Sequence, residues 1–194
     1  ASLPASPSFP YYSKALAEKY DYEPEIFAQA VADAKFEERP IVLLVNRDDP
    51  LRLRTAQAIA EMLTQAGLTV TIPEVTGKDY LDALKWGEFD LFLGQTKLSA
   101  NMDLTAFFAE KGSLNYGRLT NVAATAMMNE ALADGGNYQS LHKLVMDDGR
   151  LCPILVRSDA VYGRRGIFPG LSPTRDSIFY YSLGKTMEDA RITE

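Results

Sequence analysis

Three apolar runs separated by amphipathic stretches dominate the middle of the chain. Ile41-Val42-Leu43-Leu44-Val45 is continuously apolar, the pattern of a strand covered on both faces. Asn46 to Pro50 follows with turn residues and a helix-starting proline, and Ala56, Ile59, Ala60 and Leu63 recur at helical spacing until Gly67. Leu68 to Val75 alternates at Val70 and Ile72 and predicts a second strand. Gly77 to Trp86 predicts a short helix with Tyr80, Leu81 and Leu84 inward, and Gly87 to Asp90 turns into a third strand at Leu91-Phe92-Leu93. Right-handed crossovers in this β-α-β-α-β order give an α/β fold, a mostly parallel sheet flanked by helices.

The flanks are less periodic. Helices are predicted from Tyr12 to about Lys19 and from Pro24 to Ala34, the latter with Ile26, Phe27, Ala30 and Val31 on one face. After Gln95 the pattern fades until Leu104, Phe107 and Phe108 mark a helical turn or two. Further helices are expected over Asn121 to Leu132 and Tyr138 to Val145. Late strands are expected at Cys152 to Arg157, Ala160 to Tyr162 and Ser177 to Ser182. The organisation expected is a lead-in over 1–19, a main body over 20–182 and a charged tail over 183–194.

Composition narrows the function classes. The chain has 194 residues, 46% of them apolar, which suffices for one sizeable core. A net charge of -6 argues against nucleic acid, whose phosphates need clustered Lys and Arg. No apolar run reaches the ~20 residues that span a bilayer. One histidine, His142, and one cysteine, Cys152, make an ordinary zinc site untenable, so neither a metal nor a cofactor is expected. His142 lies among Leu141, Leu144 and Val145 and reads as a partly packed or surface side chain. Cys152 lies in an apolar run and reads as a small buried hydrophobe.

Motifs for catalysis are missing: no Walker loop, no GxGxxG after a strand, no GxSxG elbow. Asp48-Asp49 reads as acid at a helix N-terminus and Asp147-Asp148 as a loop pair, rather than as metal ligands. The candidate binding groups follow the third strand, where an open α/β sheet presents its ligand loops: Gln95, Lys97, Asn101 and Asp103. Asn115, Tyr116 and Arg118 form a second polar-aromatic loop. The amino end, Ala1 to Pro10, is Pro/Ser-rich without initiator Met, as expected for a chain that lost a leader or belongs to a larger protein.

The order of these segments resembles a known family. Tyr20-Asp21-Tyr22-Glu23-Pro24-Glu25 leads into the helix to Phe36. Ile41 to Val45, Arg54 to Leu63, Ala66 to Val70, Tyr80 to Leu84 and Gly87 to Leu91 follow in turn. Later come Met127 to Leu132, Cys152 to Leu155 and Gly166-Ile167-Phe168-Pro169-Gly170-Leu171. Together they resemble the carboxy-terminal lobe of extracellular solute-binding proteins of family 5, the peptide/nickel receptors of ABC importers. That resemblance implies one lobe of a periplasmic-binding-protein-like type II fold. It implies a small-molecule or peptide solute, ABC importer membrane subunits as partners, and an N-terminal lobe elsewhere in the parent chain. It also implies no enzymatic activity and a place outside the cell membrane, as a lipoprotein, or in the periplasm. Peptide-binding members of the family carry, after the third strand, an Asp that pairs with the peptide ammonium. Here that stretch, Gly94 to Asp103, offers only Asp103, close to the next helix, and Lys97 repels an ammonium. An anionic or carboxylate-bearing solute, or a sugar, fits Lys97 at least as well as a peptide does. An effector-sensing domain of a transcription regulator with a related lobe is the rival expectation, and a plain α/β hydrolase or transferase a third.

Overall fold

The computed structural model describes residues 1–20, 22–34, 39–117 and 119–157. The strands expected at Ala160 to Tyr162 and Ser177 to Ser182, the tail over 183–194 and Arg118 lie outside the described residues. The elements are α1 (Lys14–Ala17), α2 (Pro24–Asp33), β1 (Ile41–Val45), α3 (Pro50–Gln65), β2 (Val70–Thr71), α4 (Gly77–Trp86), β3 (Leu91–Leu93), α5 (Thr105–Phe108), α6 (Val122–Asp134) and α7 (Tyr138–Asp148).

The sheet is parallel, in the order β2-β1-β3, with Ile41 opposite Val70 and Leu44 opposite Phe92. Moving from β1 out to β2 and then back across β1 to β3 with right-handed crossovers sends the two connecting helices to opposite faces. The packing agrees. Leu43 and Val45 point to one face and pack with Ala56, Leu53 and Ile59 of α3. Leu44, between them, points to the other face and packs with Tyr80, Ala83 and Leu84 of α4. Each of these buried aliphatic chains contributes roughly 2 kcal/mol of hydrophobic stabilisation. In α4, Ala83 faces inward and Leu81 is exposed, the reverse of the expectation for Leu81. The α4 stripe is set by Tyr80, Ala83 and Leu84, and Leu81 falls on its far flank.

Helix α3 shows how local sequence fixes its ends. Asp49 caps it, its carboxylate accepting from the amides of Leu51 and Arg52 at 3.0 Å. Gly67 closes it with φ +100: its own N–H reaches the Thr64 carbonyl and that of Leu68 reaches Leu63, a Schellman arrangement that favours glycine. β2 is far shorter than the Leu68 to Val75 strand expected, because Pro73 has no amide to donate and Glu74 and Val75 turn toward Arg47.

Asp90 fastens β3 to β1. Its carboxylate accepts from the Val42 amide and, through both oxygens, from the Arg39 guanidinium, while its own N–H donates to the Val42 carbonyl. The Arg39 hydrogen bond, then the Val42 amide, hold its carboxyl down at about 2. A carboxyl lowered in the fold stabilises above its unfolded value of 3.8 and loses that stabilisation as pH falls toward 2. Because Arg39 is largely solvated, screening reduces the effect, and Asp90→Asn is expected to cost about 1 kcal/mol in urea unfolding at pH 7. The same substitution should cost much less at pH 2.

The second half is a helical unit. α6 and α7 form a hairpin whose core holds Ala124, Met128, Ala131, Tyr138, Leu141 and Val145 with Phe108 of α5. Ala5 and Phe9 belong to the same core, and Leu3 and Leu16 are buried, so residues 1–19 pack as part of this body. Three expectations need correction here. Cys152 is exposed, and residues 151–157 pair with no strand among the described residues. Asp147 and Asp148 end α7 rather than lying in a loop; acid there opposes the helix dipole, and Lys143, Tyr20 and Arg150 offset it. His142 is completely buried.

Candidate functional site

In a parallel sheet every strand delivers its following loop to the same edge, so β1, β2 and β3 gather three connections at their carboxyl ends. The β1 and β2 loops are cross-linked. Arg47 donates its N–H to the Val75 carbonyl at 3.2 Å and its guanidinium to Glu74 at 2.6 Å, and Asp48 accepts from the Gly77 amide at 2.9 Å. The two loops are therefore tied to each other by three bonds. Asp48 and Asp49 act as helix-end acceptors for α4 and α3, which accounts for the pair without a metal. Asp49 is held below the usual carboxylate range by its bonds from the Arg52 backbone and side chain.

Tyr80 directs its hydroxyl at the Leu93 carbonyl, 3.4 Å away, and burial raises its phenol against the lowering charge of Arg52. Tyr116 stands edge-on to Phe92 at 6.2 Å. Arg47, Arg52 and Tyr80 were not singled out as site residues by the sequence pattern. The signal that could have found them is position, since Arg47 follows the last residue of the central strand by two and Arg52 lies in the first turn of the next helix.

The loop from Gly94 to Asp103 carries the expected candidates. Gln95, Lys97 and Asn101 are exposed, and their side chains make no hydrogen bond or ion pair within the described structure. Asp103 is engaged: its carboxylate accepts from the Thr105 amide at 2.8 Å and starts α5. Asn115 is engaged on all sides, its amide donating to Ala109 and Thr120 and its oxygen accepting from the Leu119 amide. It staples its loop and has no amide N–H left to offer a ligand. Gln95 and Lys97 thus lie exposed in the loop that leaves β3, Tyr116 packs against Phe92 of β3, Asn101 is tied through its carbonyl to Tyr138 of α7, and Asp103 and Asn115 bond within their own segments.

Elsewhere, an open groove of about 430 Å³ runs along α2 between Glu25, Ile26, Gln29, Ala30 and Asp33. α2 meets the far end of α3, where Val31 lies against Gly67, so this groove is remote from the strand ends. Among the described residues no group of three or more His, Cys, Asp or Glu side chains gathers as metal ligands, and no helix is long and apolar enough to cross a membrane.

A family model described as bacterial extracellular solute-binding proteins, family 5 Middle, matches residues 1–115. The chain belongs to this family. Its type II lobe architecture also recurs in solved relatives of low identity. The oligopeptide-binding protein AppA from Bacillus subtilis, solved with a nonapeptide, is 21% identical with a TM-score of 0.62, covering 77% of this chain and 35% of its own. The periplasmic murein tripeptide binding protein MppA, in its unliganded open form, is 22% identical with a TM-score of 0.58, covering 73% and 30%. The peptide-binding protein of a peptide ABC transporter is 21% identical with a TM-score of 0.56, covering 73% and 71%. The family-5 chain thus spans about a third of the length of AppA and MppA. No curated protein sequence matches it.

Proposed function

We propose that this family-5 chain is a non-enzymatic, ligand-binding lobe of a bacterial extracellular solute receptor, closing with a second lobe around a small solute for delivery to an ABC importer. The receptor would work at the outer face of the membrane, as a lipoprotein or in the periplasm. The observation that carries the reading is the loop after β3. It leaves the carboxyl edge of a parallel sheet with Gln95, Lys97 and Asn101 exposed, their side chains without a hydrogen bond or ion pair among the described residues. Relatives of the same fold are described as binding oligopeptides and a murein tripeptide, which favours a peptide-like solute. Nothing in the fold or the comparisons favours the regulator or the hydrolase and transferase readings.

The charge of the loop selects which end of such a solute it meets. Its one carboxylate, Asp103, turns one oxygen to the α5 amide of Thr105, while the Lys97 ammonium makes no ion pair among the described residues, so a carboxylate end fits better than an ammonium. For the full-length parent protein, Lys97→Ala is expected to weaken binding of a free-carboxylate peptide about tenfold. Amidating the peptide carboxylate should have the same effect on the wild type, and the two changes together should cost no more than either. Isothermal titration with the free and amidated forms checks this. An amidated peptide that binds as tightly as the free acid would contradict it.

A further inference from the structure

The cleft loop is ten residues long, from Gly94 to Asp103, and contains no regular element of its own. A short turn, Met102 N–H to Ser99 carbonyl at 3.0 Å, is its main internal bond. Met102 sits in the left-handed region at φ +52 with its side chain buried in the helical core. For a residue with a Cβ that conformation is disfavoured and persists only where surrounding contacts impose it. Besides the packing of Met102 and Leu98 on the helical core, a hydrogen bond reaches across from another element: the Tyr138 hydroxyl donates to the carbonyl of Asn101 at 2.8 Å, 37 residues away. Immediately after the loop, the Leu104 amide donates to the Met128 sulfur at 3.3 Å.

Tyr138 is itself tightly placed. The turn before it is set by Asp134, which accepts from the Gly136 amide, and by Asn137, whose amide donates to Glu130. Its ring stacks on Tyr11 at 5.0 Å, meets Phe9 edge-on at 4.9 Å, and lies 6.0 Å from the His142 ring. Burial raises its phenol, so the hydroxyl remains a donor throughout the neutral range.

We infer that Tyr138 is a positioning residue for solute binding: by clamping the Asn101 carbonyl from α7, it holds the loop bearing Gln95, Lys97 and Asn101 in one preformed arrangement. The inference rests on the solute-binding reading of that loop. Its physical content is preorganisation, because a loop already ordered before binding does not lose that freedom when the solute arrives. The aromatic cluster of Phe9 and Tyr11 acts one step further back, by fixing the ring.

The test is Tyr138→Phe in the full-length parent protein, which removes the hydroxyl and keeps the ring. Amide hydrogen exchange is measured without solute, and affinity is measured with a mixture of free-carboxylate tri- to nonapeptides. Expected are an approximately tenfold faster exchange confined to residues 98–102, and an affinity about tenfold weaker through faster release. Tyr11→Leu, which loosens the ring and leaves the hydroxyl, should shift the same amides less. Exchange at 98–102 unchanged in Tyr138→Phe overturns the clamp. Faster exchange with unchanged affinity overturns its role in binding. A wild-type protein that binds none of the peptides counts against the solute reading, and the exchange result then decides the clamp alone.

Discussion

Between pH 6.5 and 4, His142 alone is expected to remove about 3 kcal/mol of folding stability. Its side chain is fully buried, both ring nitrogens are without a hydrogen-bond partner among the described residues, and burial pushes its pKa down to about 4. No charged group among the described residues contributes to that shift; the neighbouring titratable side chain is Tyr138, whose ring is 6.0 Å away. The direction follows from which state takes the proton. The unfolded imidazole protonates near 6.5, the folded one only near 4, so each pH unit fallen between them favours unfolding by about 1.4 kcal/mol. His142→Met keeps an apolar volume and removes both orphan nitrogens. It should leave stability at pH 7 unchanged or about 1 kcal/mol higher, and it should flatten the slope between pH 6.5 and 4. Urea unfolding at pH 7, 5.5 and 4.5 checks this, and the Asp90 effect, confined below pH 3.8, does not overlap that window. A slope that survives in His142→Met would assign the acid sensitivity to other groups.

Gly112→Ala is expected to destabilise the fold by about 3 kcal/mol and to displace the loop that carries Asn115 and Tyr116. A Cβ at Gly112 would fall on the carbonyl of Ala106, closer than any real contact, and would also press on the carbonyl of Ala109. Neither carbonyl is free to move. The Ala106 oxygen accepts from the Leu114 amide, and the Ala109 oxygen accepts from the Gly112 amide and from Asn115. Relief must therefore come from the loop, breaking the staple that Asn115 makes and shifting Tyr116 off Phe92. A crystal structure or Tyr116 chemical shifts would report the displacement, and urea unfolding the stability. A variant as stable as wild type, with Tyr116 in place, would show that the segment accommodates the methyl group without that rearrangement.

The parts of the fold that were legible in the sequence are those where one period dominates. The continuous run of Ile41 to Val45 and the stripe of Ala56, Ile59, Ala60 and Leu63 could only satisfy a sheet covered on both faces. Even the alternation of Leu43 and Val45 against Leu44 follows from strand geometry. What could not be read depends on distant partners. Cys152 looked buried because its neighbours are apolar, yet residues 151–157 find no ladder partner among the described residues and the thiol is exposed. His142 looked partly solvated because helical spacing does not say how deeply a helix is covered, and it is the inter-helix packing that buries it. At the candidate site, residue types alone could not separate Lys97, whose side chain is unengaged among the described residues, from Asp103 and Asn115, which bond to backbone and side-chain groups of their own segments. The clamp from Tyr138 to Asn101 spans elements that local pattern does not connect.

The measurement that tests the central claim most directly is native mass spectrometry of the longest natural form of this protein, purified gently from its own cells. The account predicts a chain well over twice this length carrying a small co-purified mass, released on mild activation and bearing a carboxylate. A natural chain ending near residue 194 that carries no such mass, and takes up none when offered peptides, would contradict it.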